Sequence, residues 1–247
     1  MTDPSPPHRR LLIAIDMERY SNKDNLHQYE SQQVYRQTVR EAADALGLDR
    51  LNWLTQQGGD GELAILPADA PETAVVARLA PALDRLLRRH NRDLEPHARV
   101  RLRVAIHSGL VHLDGANGYP GDAVVTVCRL VDADPLKSAL AAFPGAGAAL
   151  IVSDQVYQDV VRHGYDGIRV DRFRRVSVRM AAKRFDAVAW ITVPDEDVTA
   201  LAAPSAPAAP APPVPGAGTV TFTGSTFNGP VAAGDHPTAW MSPGEAR

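Results

Sequence analysis

Two aspartates carry the first chemical suggestion in this chain. Asp16 follows the apolar run Leu-Leu-Ile-Ala-Ile at 11–15, and Asp60 sits in Gln-Gln-Gly-Gly-Asp-Gly at 56–61, just ahead of Glu-Leu-Ala-Ile-Leu. A carboxylate at the end of a strand entering a core is costly unless a cation or a hydrogen-bond donor meets it. Two such carboxylates, delivered by adjacent strands, make oxygen ligands for a hard divalent metal. The same residues also read as a helix N-cap at Asp16 and an Asp-Gly hairpin turn at Asp60. Spacing alone leaves both readings open.

The elements that must position these residues are legible from periodicity. Residues 11–15 are continuously apolar, as in a strand buried on both faces. After a polar loop at 22–25, Tyr35, Val39, Ala42 and Leu46 recur at helical spacing, and Gly47 ends the run. Residues 51–55 and 62–66 read as two strands of a hairpin. The strongest helix spans 71–91, with Val75, Val76, Leu79, Leu83, Leu86 and Leu87 on one face and its arginines on a solvated one. The Arg-Val-Arg-Leu-Arg-Val alternation from 99 predicts a strand with one wet side, with 111–113 pairing back on it and a loop at 115–121. Helices follow at 122–132 and 135–142, then a strand at 149–152, and Ser153 caps a helix running to about residue 162. The last strands are expected near 168–170, 176–180 and 188–193. The order βαββαβ with later additions predicts an α+β fold of the ferredoxin-like kind, with helices on one face of the sheet.

Composition narrows the setting. At 247 residues the chain is long enough for one good-sized core, and its net charge of −3 gives no global attraction to nucleic acid or anionic membrane. The single cysteine, Cys128, excludes an intrachain disulfide framework and fits a reducing cytoplasm. No run approaches the roughly 18 consecutive apolar residues that would span a bilayer. Residues 1–9 lack an apolar signal core and read as a short disordered lead-in to a domain over 10–194. The expected setting is therefore cytoplasmic, with no nucleic acid and no membrane partner. Past Pro194 the character changes: 195–217 form an Ala/Pro-rich linker, which cannot build a packed core. The tail at 218–247 contains Gly-Thr-Val-Thr-Phe-Thr-Gly-Ser-Thr-Phe-Asn-Gly within 218–235, nearly uncharged and β-prone. Such a segment is suited to strand addition or cross-β stacking, or is an inert tail.

Five segments taken together carry a family resemblance. Ile-Ala-Ile-Asp-Met-Glu-Arg-Tyr-Ser (13–21), Gly-Gly-Asp-Gly-Glu-Leu-Ala-Ile-Leu-Pro (58–67), Val-Arg-Leu-Arg-Val-Ala-Ile-His-Ser-Gly-Leu-Val (100–111), Gly-Tyr-Pro-Gly-Asp-Ala-Val-Val-Thr-Val-Cys-Arg-Leu (118–130) and Ala-Leu-Ile-Val-Ser-Asp-Gln-Val-Tyr (149–157) occur in order. The set resembles the class III adenylate/guanylate cyclase catalytic domain from about residue 10 to 193. His-Ser-Gly-Leu-Val, Arg-Leu-Val-Asp-Ala-Asp-Pro-Leu-Lys-Ser-Ala-Leu and Ala-Val-Ala-Trp-Ile look most like a compact actinobacterial cyclase-like subfamily.

The resemblance implies conversion of an NTP substrate to a 3′,5′-cyclic nucleotide and pyrophosphate, in bacterial signalling or antiphage defence. It implies Asp16 and Asp60 as ligands of two divalent cations, Mg²⁺ or Mn²⁺, and the backbone of Met17, Glu18, Arg19 and Tyr20 as a phosphate cradle. Arg19 replaces the family's usual glycine there. Arg129 matches the arginine that stabilises charge on the α-phosphate, and Lys183 a phosphate-binding lysine, with Arg179 and Arg184 as alternatives. Val125 stands where the family carries an asparagine that fixes the ribose. Base recognition falls to Gln56, Gly118 and Tyr119, which match neither the adenine nor the guanine pattern, so pyrimidine products stay within the reading. A head-to-tail homodimer is implied, the aspartates from one subunit facing the arginine of the other. His107 and Cys128 read as packing residues. Two further readings stand beside catalysis: an eroded cyclase fold that binds or dimerises, and recruitment of a partner through the 218–235 segment, which resembles amyloid-like signalling motifs of bacterial immunity proteins.

Overall fold

The computed structural model describes residues 5–201; residues 202–247, including the 218–235 motif, lie outside the described residues. The chain runs β1 (His8–Met17), α1 (Asn25–Ala45), β2 (Leu54–Gln57), β3 (Gly61–Ile65), α2 (Glu72–Asn91), β4 (Leu102–Val111), α3 (Asp122–Val131), α4 (Asp134–Ala142), β5 (Ala148–Ser153), α5 (Asp154–Asp159), β6 (Arg174–Met180) and β7 (Phe185–Thr192), with short 3₁₀ turns between. The strands form one sheet in the order β2-β3-β1-β4-β5-β7-β6. Its first four positions are the ferredoxin-like arrangement expected from the element order: β1 lies antiparallel to both β3 and β4, and β2 antiparallel to β3. β5 then adds parallel to β4, and the β6–β7 hairpin closes the far edge.

The α+β class stands, but the cover is two-sided. Leu11, Ile13 and Ile15 of β1 pack with Tyr35, Val39, Val75, Leu79 and Leu83 of α1 and α2. Leu12 and Ala14 pack with Val127, Leu130, Leu136 and Leu140 of α3 and α4. The expectation of helices on one face came from the βαββαβ unit alone, whose crossovers put α1 and α2 on one side. The added helices return over the other, which is why the central strand is apolar at consecutive positions rather than alternating.

Four boundaries also differ. β1 starts at His8, inside the expected lead-in, because its first residues pair with the far end of β4. β4 is one strand to Val111, so 111–113 does not fold back on it. The strand expected near 168–170 is a pair of 3₁₀ turns. Residues 195–201, expected to begin the linker, continue the fold: Val198 is fully buried in the second core, and the Arg174 guanidinium donates to the Val198 and Leu201 carbonyls.

A buried carboxylate ties the helical layer to the sheet. Asp84 of α2, almost without exposure, accepts the Gly147 and Ala148 amides at 2.7 and 3.1 Å and the Arg88 Nε at 2.6 Å. A side chain on Gly147 would stand 2.6 Å from the Leu87 Cβ, so glycine is what lets the start of β5 close on α2. Removing Asp84 leaves two amides and a guanidinium short of their acceptor. Asp84→Ala is expected to lower stability by about 3 kcal/mol, read as a shift of the urea midpoint at unchanged slope.

Candidate functional site

At one rim of the sheet the register of β1 gathers the charges. Asp16 stands opposite Gly61 of β3 on one side and Arg103 of β4 on the other. Gly61 is compelled by sterics: a Cβ there would lie 1.9 Å from the Ile15 carbonyl oxygen and 2.9 Å from the Asp16 Cα. That close approach lets the Met17 amide donate to the Asp60 carbonyl at 2.7 Å, which brings the Asp60 turn against the end of β1. The two sequence-expected aspartates are thus neighbours, Asp16 half-buried and Asp60 exposed. The Asp16 carboxylate is in an ion pair with the Arg103 guanidinium. Burial pushes the Asp16 carboxyl above its ordinary value, Arg103 pulls it back, and the carboxylates of Asp60 and Asp132 push it up again.

Like-charged carboxylates crowded at a rim suit a divalent cation. Among the described residues no group of three or more His, Cys, Asp or Glu side chains assembles around a metal position. Two carboxylates with the remaining ligands left to water and phosphate oxygens is a donor set for Mg²⁺ rather than for a protein-caged Zn²⁺ or Ca²⁺. The residues therefore fit the expected cation by chemistry, through Asp16 and Asp60.

The segment after Asp16 is only partly free to cradle phosphate. The Met17 amide is spent on Asp60, and the Glu18 amide donates to the Arg101 carbonyl at 2.9 Å. The Glu18 carboxylate pairs with Arg101 at 3.0 Å. Arg19 takes the left-handed conformation, φ 56° and ψ 26°, at the head of the 3₁₀ turn Tyr20–Asn22. A glycine at this position would adopt that conformation without steric penalty. Across this turn, the Gln32 side-chain amide of α1 donates to both the Tyr20 hydroxyl and the Gly59 carbonyl, each at 2.8 Å. One side chain thereby binds the Arg19–Tyr20 loop to the Asp60 turn.

Two of the positions expected to read the base meet. Gly118, at φ 96°, lies so close to Gln56 that a Cβ would stand 2.9 Å from the Gln56 Oε1. Tyr119 packs on the second core beside them. Arg129, near the end of α3, lies over the Phe185 ring with 5.2 Å to its centroid. Lys183 pairs with Asp132 at 3.3 Å. Burial pushes the Asp132 carboxyl up, but Lys137 and Lys183 outweigh it and hold the carboxyl below its ordinary value. Among the described residues neither Arg129 nor Lys183 forms a hydrogen bond or ion pair with Asp16 or Asp60. Val125 is 42% exposed on α3, an outward apolar side chain with no polar function to offer.

Sequence reasoning passed over Arg103 and Gln32. Arg103 was one of three alternating arginines on an expected wet face, and its role appears only from the cross-strand register that sets it against Asp16. Gln32 has no signal in its neighbours; its partners are 12 and 27 residues away in the chain.

Comparison with known proteins turns on this architecture. No family model matches the sequence, and no curated protein matches it. Among solved structures, an adenylate/guanylate cyclase/hydrolase from Silicibacter pomeroyi superposes with a TM-score of 0.55 at 21% identity, covering 76% of this chain and 98% of that one. The fold is that of a nucleotide cyclase domain. A bacterial light-regulated adenylyl cyclase gives a TM-score of 0.52 at 14% identity, with 76% of this chain covering 52% of that one. The guanylyl cyclase Cya2 gives 0.50 at 13% identity, over 75% and 92% of the two chains. At these identities the likeness is one of the cyclase fold.

Two substitutions test the local geometry. Gly61→Ala is expected to destabilise the chain by about 1–3 kcal/mol, since its methyl has no room against the β1 backbone. Arg19→Gly is expected to stabilise it by about 1 kcal/mol, as the left-handed penalty goes and glycine's unfolded-state entropy offsets part of the gain. Chemical denaturation of both variants reads the two signs.

Proposed function

We propose that the chain is a metal-dependent nucleotidyl cyclase that closes an NTP into a 3′,5′-cyclic nucleotide with release of pyrophosphate. The observation that carries this reading is the meeting of Asp16 and Asp60 at one sheet rim, on a cyclase fold, with Arg103 beside them. Divalent cations held by Asp16 and Asp60 would supply charge neutralisation for the triphosphate and acidify the ribose 3′-hydroxyl. The O3′–Pα bond forms as the bond from Pα to the pyrophosphate oxygen breaks, and the hydroxyl proton leaves to solvent. Arg103 neutralises Asp16 and so keeps that carboxylate ionised at the rim. Arg129 stabilises charge on the α-phosphate and Lys183 holds the phosphates. The Gln56 amide, with the backbone at Gly118 and the Tyr119 ring, reads the base; it both donates and accepts, which does not commit it to one base.

Among the described residues neither Arg129 nor Lys183 forms an ion pair with Asp16 or Asp60, and this supports a head-to-tail homodimer with two composite sites. A cytoplasmic setting is part of the proposal, supported by the lone cysteine; no helix among the described residues is long and apolar enough to cross a membrane. The exposed Val125 favours a second reading, a nucleotide-binding module without turnover. Nucleotide affinity indifferent to Mn²⁺, with no product from any of the four NTPs, selects the second reading over the first.

Incubation with each NTP and Mn²⁺ is expected to give cyclic nucleotide and pyrophosphate from at least one, and Asp60→Ala to abolish it. Arg129→Ala is expected to lower kcat by about 10²–10³-fold. Mixing the two inactive variants should restore up to about one quarter of the parent activity, because half of the randomised dimers hold one intact composite site of two. No recovery on mixing counts against the shared site.

A further inference from the structure

Beyond the aspartate rim, the same end of the sheet opens into a cavity of about 480 Å³ between the Arg19 turn, the connection from α2 to β4 and the connection from α4 to β5. Its charged wall is one-sided: Arg19, Lys23, Arg99 and Arg101, with His97, against the single carboxylate of Glu18. None of Asp16, Asp60 and Arg103 lines it.

The charges in this wall are incompletely compensated. Glu18 is committed to Arg101, whose guanidinium otherwise donates to the Leu140, Phe143 and Ala146 carbonyls. Lys23 is half-buried, yet among the described residues its ammonium donates only to the Ser31 hydroxyl and the Ala98 and Arg99 carbonyls. Glu30 supports it electrostatically without forming an ion pair, and burial still holds the ammonium below its ordinary value. Arg99 spends its Nε on the Leu94 carbonyl, and its terminal nitrogens have no partner among the described residues. Arg19 forms no ion pair among the described residues. Three cations thus face one space without a carboxylate partner, and a half-buried ammonium satisfied only by neutral acceptors is costly to keep there.

We propose that this cavity is a binding site for a phosphate-type polyanion, separate from the carboxylate pair. Charge decides the class. A single carboxylate leaves most of the wall uncompensated, whereas a phosphoryl group brings about −1.5 to −2 and a diphosphate more. Guanidinium forks match phosphate oxygens two at a time, and Arg19 and Arg99 offer such forks. The volume falls within the range of small-molecule sites, roughly 300–1,000 Å³. Glu18 and Arg19 also belong to the segment expected to cradle the substrate's phosphates, but Lys23, Arg99 and Arg101 complete this cavity, and binding in it needs no turnover.

The test is calorimetric titration of the full chain with inorganic pyrophosphate in metal-free buffer containing a chelator, with a nucleoside monophosphate as a second arm. Saturable binding is expected, weakening as salt is raised. Arg99→Glu and the milder Arg99→Gln are expected to raise Kd at least about tenfold, the loss of one charge-assisted hydrogen bond. Arg103→Gln, next to the aspartates, is expected to leave Kd unchanged. Equal affinity in the two arms makes the phosphoryl group the recognised unit; tighter binding of the monophosphate assigns the site to nucleotides. The proposal is overturned by absence of saturation, by folded Arg99 variants that bind like the parent, or by loss of binding in Arg103→Gln alone. No turnover is read, so an inactive cyclase leaves this outcome unaffected.

Discussion

The antiparallel register of β1 is the constraint on which the rest depends. It sets Asp16 against a residue with no side chain on one strand and against a guanidinium on the other. With a Cβ at Gly61 the two strands would have to separate, the Met17 amide would lose the Asp60 carbonyl, and the second aspartate would swing away from the first. A shift of the pairing by one residue would be worse, since it would turn Asp16 into the first core and Ile15 toward the rim. Because β1 is apolar on both faces, a slip would leave its other side chains buried, and the cost of burying the Asp16 charge away from Arg103 is what holds the register.

The sheet keeps its ionic pairs in separate places. On the face covered by α1 and α2, the buried Glu62 is held by Arg50 through two hydrogen bonds at 2.7 and 2.9 Å, which secures the base of the β2–β3 hairpin from beneath. Asp16 and Arg103 sit on the opposite face, toward α3 and α4. Buried pairs of this kind add little net stability over apolar packing, but breaking one is expensive. They keep the hairpin and the rim in one arrangement, as the proposed cation site requires.

How much of this was legible in the sequence depended on the range of the forces involved. Strands and helices with strong periodicity, such as 11–15 and 71–91, were readable because a local pattern sets them. The two aspartates were readable because a carboxylate abutting an apolar run is conspicuous. The second helical layer was not, although the unbroken apolar run of β1 required something on both faces; the βαββαβ unit taken alone supplied only one. The turns near Ile168, where a strand was expected, show short apolar runs satisfied by tertiary packing rather than by pairing. Arg103 and Gln32 were illegible for a common reason. Each acts across a long stretch of chain, and an arginine in an alternating strand or a glutamine on a helix looks the same whether it is solvated or holding a loop.

Gln32 has a mechanical implication. A single amide group spends its two hydrogens on two different loops, one behind each aspartate. Helix α1 is therefore the beam from which both loops hang, and its N-terminal half projects Leu26 and Tyr29 outward, each more than 60% exposed. Anything that grips that outer surface and tilts the helix pulls on both suspension points at once. Asp16, held in the β1 ladder, would stay with the sheet while the Asp60 turn shifts against it.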